Sequence, residues 1–154
     1  MKGGAAVAQT ETETLVREVQ VDATPETIFP FLTDPVQMTR WMGREATLDP
    51  RPGGIYRVDV TGTHVARGEF VEVSAPTRVV FTWGWEEAGN PVPPGSTTVE
   101  IDLVAEGDKT LVRLTHRDLP QATIDSHAHG WEHYLGRLAT AGAGGDPGAD
   151  PWMK

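Results

Sequence analysis

Apolar and polar residues alternate in short runs through most of this chain, and after residue 120 the pattern changes to a helical period. Over 15–21, Val19 and Val21 alternate with Glu18 and Gln20, the period of two that a half-buried strand requires. Thr24-Pro25-Glu26 then reads as a helix start, with a hydroxyl at the N-cap, proline at the first helical position and an acid in the positive first turn. Ile28, Phe29, Phe31 and Leu32 supply the buried face of that helix. Asp34-Pro35 repeats the device, which stops the first helix near Thr33 and predicts a second short helix over 35–42.

Beyond Gly43 the pattern predicts six strands, over 45–48, 55–60, 64–73, 78–85, 98–104 and 110–116. Gly53-Gly54, Thr61-Gly62-Thr63, Ala75-Pro76-Thr77 and Glu106-Gly107-Asp108-Lys109 supply turns suited to consecutive antiparallel strands. Val79, Phe81, Trp83 and Trp85 fall on one face of their strand, and Val99, Ile101 and Leu103 on one face of the next. From Pro120 onward Ile124, Ala128, Trp131, Leu135 and Leu138 are spaced four, three, four and three apart, the apolar stripe of an amphipathic helix. Strand, two helices, six strands and a long helix make an α+β layout in which one bent antiparallel sheet encloses one helix.

At 154 residues the chain is the size of one domain with its own core. Residues 1–13 and 142–154 are too poor in apolar groups to offset the entropy of ordering, so they read as flexible tails around a domain over 14–141. Trp152 stands alone in the second tail and is assigned no role. The absence of cysteine excludes disulfides, thiolate metal sites and cysteine nucleophiles. A net charge of -9 argues against nucleic acid as a partner. No apolar run reaches the roughly 20 residues of a membrane span, and a cytoplasmic location is expected.

Several segments taken together are familiar: Asp-Ala-Thr-Pro-Glu-Thr-Ile-Phe from Asp22, Thr33-Asp34-Pro35 with Arg40-Trp41, Asp49-Pro50-Arg51-Pro52-Gly53-Gly54, Phe81-Thr82-Trp83, and Gly130-Trp131 with Leu135 and Leu138. In this order and spacing they resemble the SRPBCC superfamily, in the branch related to the C-terminal domain of the activator of heat-shock protein 90 ATPase. The resemblance implies a helix-grip fold, as in START domains and the birch pollen allergen, with two short helices after the first strand. It also implies an interior cavity that takes apolar or amphipathic small molecules, and it places His127, three residues before Gly130, as a frequent companion of the Gly-Trp pair. A chaperone is the alternative partner that the family implies, and a cyclase- or hydrolase-type enzyme using the same cavity is a third reading.

The expected ligand-binding set is Trp41, Tyr56, Phe70, Phe81, Trp83, Trp85, His127 and Trp131, because indoles and phenols combine apolar area with one polar handle each. Plain core packing is the competing reading for each aromatic. His129 and His133 lie four apart on the last helix, a zinc-ligand spacing, but no further ligand is placed beside them and an exposed polar face accounts for both. No metal or cofactor is therefore expected. His127, Tyr56, His64, Arg57 and Glu69 are the side chains available for acid–base chemistry, and spacing joins none of them to a second group. Arg51, Arg57, Arg67 and Arg78 read as solubilising charges, and residues 86–95 as a stiff loop that forms either a pocket rim or an inert insertion. The free edges of such a sheet are compatible with a homodimer, although the pattern does not say which strands lie there.

Overall fold

The computed structural model describes residues 11–154. Its elements run β1 (Thr12–Val21), α1 (Pro25–Thr33), α2 (Pro35–Met38), β2 (Glu45–Leu48), β3 (Ile55–Asp59), β4 (Val65–Ser74), β5 (Arg78–Trp83), β6 (Thr97–Glu106), β7 (Lys109–Pro120), a 3-10 turn (Gln121–Thr123) and α3 (Ile124–Gly142). All seven strands join one antiparallel sheet in the order β1-β7-β6-β5-β4-β3-β2. The expected α+β layout is therefore the one observed, and its free edges are β1 and β2.

The boundaries move for local reasons. Thr24 occupies the N-cap of α1, yet its hydroxyl makes no capping bond and meets the Thr27 hydroxyl at 3.3 Å. Asp34 does cap α2, accepting from the Val36 amide at 2.8 Å, but α2 ends at Met38 rather than at 42. Strand β7 continues past His116 to Pro120, where Thr12 and Glu13 pair with Pro120 and Leu119. Backbone pairing thus orders residues that composition assigned to the N-terminal tail; the rest of that expected tail, residues 1–10, lies outside the described residues.

The inner face of the sheet meets α3 through Val99, Ile101, Val112 and Leu114 on one side and Trp131, Leu135 and Leu138 on the other, all buried. Burying a side chain of this size contributes about 1.5–3 kcal/mol, which is why the stripe fixes the helix on the sheet. On the outer face Arg78 bonds Asp102 at 2.9 Å and Glu72 at 3.2 Å, while Arg117 bonds Glu100 at 2.7 Å. Alternating charge therefore covers the face that the helix leaves open.

Two glycines shape the end of the sheet where the cavity forms. A Cβ at Gly68 would lie 1.9 Å from the Thr82 carbonyl oxygen, so only glycine lets β4 cross β5 this closely. A Cβ at Gly84 would lie 1.7 Å from the Pro93 carbonyl oxygen, and this approach folds residues 86–95 back on the strand. The fold-back ends β5 at Trp83 rather than at 85, leaving Trp85 in a single bridge to Ala66. Trp85 donates its amide to Val92 at 2.7 Å, and Val92 is fully buried. At the root of the loop, Arg57 holds Glu86 at 2.7 Å and Arg67 approaches it at 3.6 Å. These two arginines, expected as solubilising charges, anchor a loop.

The segment after α3 also departs from the expectation of an unpacked tail. Trp152 stacks on His133 with ring centroids 3.9 Å apart, and Lys154 donates its amide to Thr61 at 2.7 Å. The Asp150 carboxylate accepts from the Tyr134 hydroxyl at 2.6 Å, from His133 Nε2 at 2.9 Å and from the Trp152 amide at 2.9 Å. Composition missed this because one aromatic and one acid suffice when their partners, Tyr134 and His133, wait on a helix already fixed. Burial works to raise the Asp150 carboxyl, but those three donors outweigh it and hold the group below the usual carboxylate range. Asp150→Ala is expected to cost about 2 kcal/mol, through loss of hydrogen bonds to a buried charge. Urea unfolding measures the loss, and hydrogen exchange should rise first in residues 148–154. An unchanged midpoint would show that the segment contributes nothing to stability.

Candidate functional site

Trp83 and Trp85, two residues apart on extended backbone, point to the same side of the sheet end, where α3 presents His127, Trp131 and Tyr134 on successive turns. Between them lies a cavity of about 530 Å³. Met42 and Val60 also line it, Thr61 and His64 come from the β3–β4 turn, and Glu87, Asn90 and Pro91 from the folded-back loop. Trp152 completes the wall, so the C-terminal segment is part of the site.

The rings meet at steep angles rather than as a flat stack. Trp83 lies 5.2 Å from Trp85 at 80° and 5.1 Å from Trp131 at 49°. Trp152 stands at 90° to Tyr134, 5.6 Å away. Aromatic pairs favour such edge-to-face contacts, and here they hold the walls apart.

Two indole–imidazole pairs back these walls. Trp131 Nε1 donates to His116 Nδ1 at 3.0 Å, so the His116 proton sits on Nε2, which donates to the Thr97 hydroxyl at 2.8 Å. Thr97 in turn donates to the Trp83 carbonyl at 2.8 Å. Trp85 Nε1 donates to His127 Nε2 at 3.1 Å, and His127 Nδ1 donates to the Thr123 carbonyl at 2.8 Å. Each imidazole is a neutral tautomer with both nitrogens engaged. Burial, reinforced by His127 nearby, pushes the His116 imidazole down to about 3. Burial also lowers His127, opposed by the Thr123 carbonyl. Among the described residues, Trp83 Nε1 is the buried side-chain polar atom without a hydrogen-bond partner.

Of the eight expected ligand-binding residues, the structure brings Trp83, Trp85, His127 and Trp131 together around the cavity. Trp41, Tyr56, Phe70 and Phe81 are not among its walls. Tyr56 stacks on Phe81 with centroids 3.9 Å apart at 10°, and Phe70 packs edge-on to Tyr56 at 5.7 Å. Trp41 donates to the Phe31 carbonyl at 2.8 Å beneath α1. These four are core: the same inward alternation places Phe81 and Trp83 on one face, but only Trp83, at the end of the strand, also borders the cavity. Burial raises the Tyr56 phenol far above its ordinary range, which removes it from acid–base chemistry.

The other acid–base candidates do not converge. Arg57 is tied to Glu86, Glu69 is exposed, and only His64 and His127 reach the cavity. His133, expected on an exposed face, is instead covered by Trp152. Sequence reasoning missed His116, Tyr134, Trp152 and Glu87. Extending the alternation Val112, Leu114 by one step would have turned His116 inward, whereas nothing local marks Trp152 or Glu87.

A curved antiparallel sheet closed over one long C-terminal helix, with an aromatic cavity between them, defines the helix-grip class of α+β proteins. The chain belongs to the activator of Hsp90 ATPase homolog 1-like protein family, whose model matches residues 22–143, and with it to the SRPBCC superfamily. An AHSA1-like protein of Rhizobium etli, solved by NMR, is 48% identical over 94% of this chain and 90% of that one, with a TM-score of 0.73. CalU16 from Micromonospora echinospora is 27% identical over 93% of this chain and 80% of that one, with a TM-score of 0.73. An HSP90 activator from Plasmodium falciparum shares the fold at 22% identity, covering 81% of this chain and 92% of that one, with a TM-score of 0.67. No curated protein matches the chain. Among the described residues, no helix is long and apolar enough to cross a membrane.

Proposed function

We propose that this chain is a binding protein for small apolar or amphipathic molecules, which it holds in the cavity between β5, α3 and the C-terminal segment. The observation that carries this reading is a space of about 530 Å³ walled by Trp83, Trp85, Trp131 and Trp152. Sites for small molecules run from about 300 to 1,000 Å³ and are lined in this way, by aromatic groups with a few polar ones. The two histidines behind the walls are neutral and fully engaged, which suits them to fixing indoles rather than moving protons. Binding without chemistry is therefore the reading supported over a cyclase or hydrolase.

The test uses the neutral fluorophore N-phenyl-1-naphthylamine, which brightens in apolar surroundings. A saturable rise at one probe per chain is expected, together with a co-purifying small molecule in native mass spectrometry. No rise up to the solubility limit of the probe would sink the proposal.

The family assignment and the likeness to the Plasmodium falciparum activator support a second reading, in which the partner is a chaperone. A stress-response role in the cytoplasm goes with that reading. It predicts that adding this protein to an Hsp90 homologue raises its ATP turnover at least about twofold, or about 0.4 kcal/mol off the barrier. Unchanged turnover at saturating protein removes it for the chaperone tested.

A further inference from the structure

The hydrogen-bond donors of the cavity's aromatic walls and of the α3 end are already engaged within the protein or buried. The indole N–H of Trp85 is used by His127 and that of Trp131 by His116, while the Tyr134 hydroxyl is used by Asp150. His127 Nδ1 and the Ser126 hydroxyl donate to the Thr123 carbonyl, and the Thr123 hydroxyl to the Pro120 carbonyl. The remaining indole N–H, on Trp83, is buried out of contact with solvent. What these walls offer an occupant is therefore aromatic surface with its donors already used, and the polar side chains left are those of Thr61, His64 and Asn90 at the rim, which bond one another or Glu87.

The charge on the rim has one sign. Glu87 lines the cavity, and among the described residues no arginine or lysine does. Its neighbour Glu86 is neutralised by Arg57 and Arg67, whereas Glu87 meets only His64 Nε2 at 3.4 Å and the Asn90 amide at 3.5 Å. The chain as a whole carries a net charge of -9. An anion entering this space loses its water, finds few donors and faces a carboxylate. A cation finds the negative faces of several rings set at steep angles, with a carboxylate beside them.

Building on the cavity reading above, we propose that the occupant is a cationic amphiphile: an apolar or aromatic body carrying a quaternary or protonated amine. The body packs among Trp83, Trp131 and Trp152, and the ammonium sits toward Trp85 and Glu87. The cavity thereby selects by charge as well as by apolar area.

Three probes sharing one ring system test this: (1-naphthylmethyl)trimethylammonium, 1-naphthylmethanol and 1-naphthylacetate, titrated by calorimetry in low salt at pH 8. The cation is expected to bind at least about fivefold more tightly than the alcohol, with the acetate weakest. Glu87→Gln, a change at a side chain that is 41% exposed, should narrow the preference for the cation severalfold and leave the alcohol within about twofold. Binding of N-phenyl-1-naphthylamine by the variant checks that the cavity persists. Equal or tighter binding of the alcohol or the acetate overturns the charge preference while leaving the cavity reading standing. Failure of all three probes and of the fluorophore overturns both.

Discussion

Trp131→Ala is expected to lower stability by about 3–5 kcal/mol and to abolish the fluorescence gain of N-phenyl-1-naphthylamine. The indole is 3% exposed, packs on Trp83 at 5.1 Å and supplies the donor that His116 Nδ1 accepts. Truncation removes all three at once: apolar burial, one wall of the cavity and the partner of a buried acceptor. Trp131→Phe separates them, since it keeps most of the wall and loses the N–H, at an expected cost of about 1–3 kcal/mol. The phenylalanine variant should therefore bind the probe more weakly but measurably. Chemical denaturation and probe titration read both effects. A folded alanine variant with unchanged probe affinity would show that the cavity is not where the probe binds.

Acidification from pH 7 to pH 5 is expected to cost roughly 2 kcal/mol of stability through His116 alone. Its imidazole is pushed down to about 3 in the folded chain, while an unfolded imidazole titrates near 6.5. Between those values the unfolded state binds more protons than the folded state, so stability rises with pH across that window. It is fully present above about 6.5 and is lost as pH falls toward 3. His127, also lowered by burial, adds a contribution of the same sign. The carboxylates held low by their partners, such as Asp150 and Glu86, lose their stabilisation only as pH drops into the ordinary carboxylate range. The interval from pH 7 to 5 thus isolates the imidazoles. Urea midpoints at half-unit steps measure the slope, and His116→Gln should flatten most of it. A wild-type stability that does not change between pH 7 and 5 would contradict a buried, neutral His116.

The two histidines tie these expectations to the binding proposal. Each accepts an indole N–H, so each fixes the orientation of one cavity wall. Protonating either one replaces that acceptor with a second donor facing an N–H, which sets like ends of two dipoles against each other. Loss of fold and loss of the cavity should therefore run together on the acid side.

Much of the architecture was legible in the residue pattern because strand and helix periods are local. Val79, Phe81 and Trp83 alternate whatever they pack against, and Trp131, Leu135 and Leu138 define a stripe before any partner is known. Proline after Thr24 and after Asp34 marked two helix starts, and the structure has a helix beginning at each. Ends of elements were less legible, since they depend on neighbours. β7 runs on to Pro120 because β1 is there to pair with it, and β5 ends early because Gly84 admits the Pro93 carbonyl.

The site divides along the same line. Residue type alone made Trp83, Trp85, His127 and Trp131 candidates, but gave no means of separating them from Trp41, Tyr56, Phe70 and Phe81. Inward alternation is common to core and cavity, and what distinguishes the two is whether part of the ring borders open space. That is a property of the packing of distant segments: Phe70 and Phe81 close over Tyr56, while Trp83 faces an opening bounded by a loop and by Trp152. The sequence by itself therefore determined the order of elements, the helix starts and the inward faces, all set by residues within a turn or two of each other. Only the tertiary structure decided which inward aromatics border the cavity, where the last segment docks, and which partners the indoles and Tyr134 engage, because these rest on contacts between residues at least 15 positions apart.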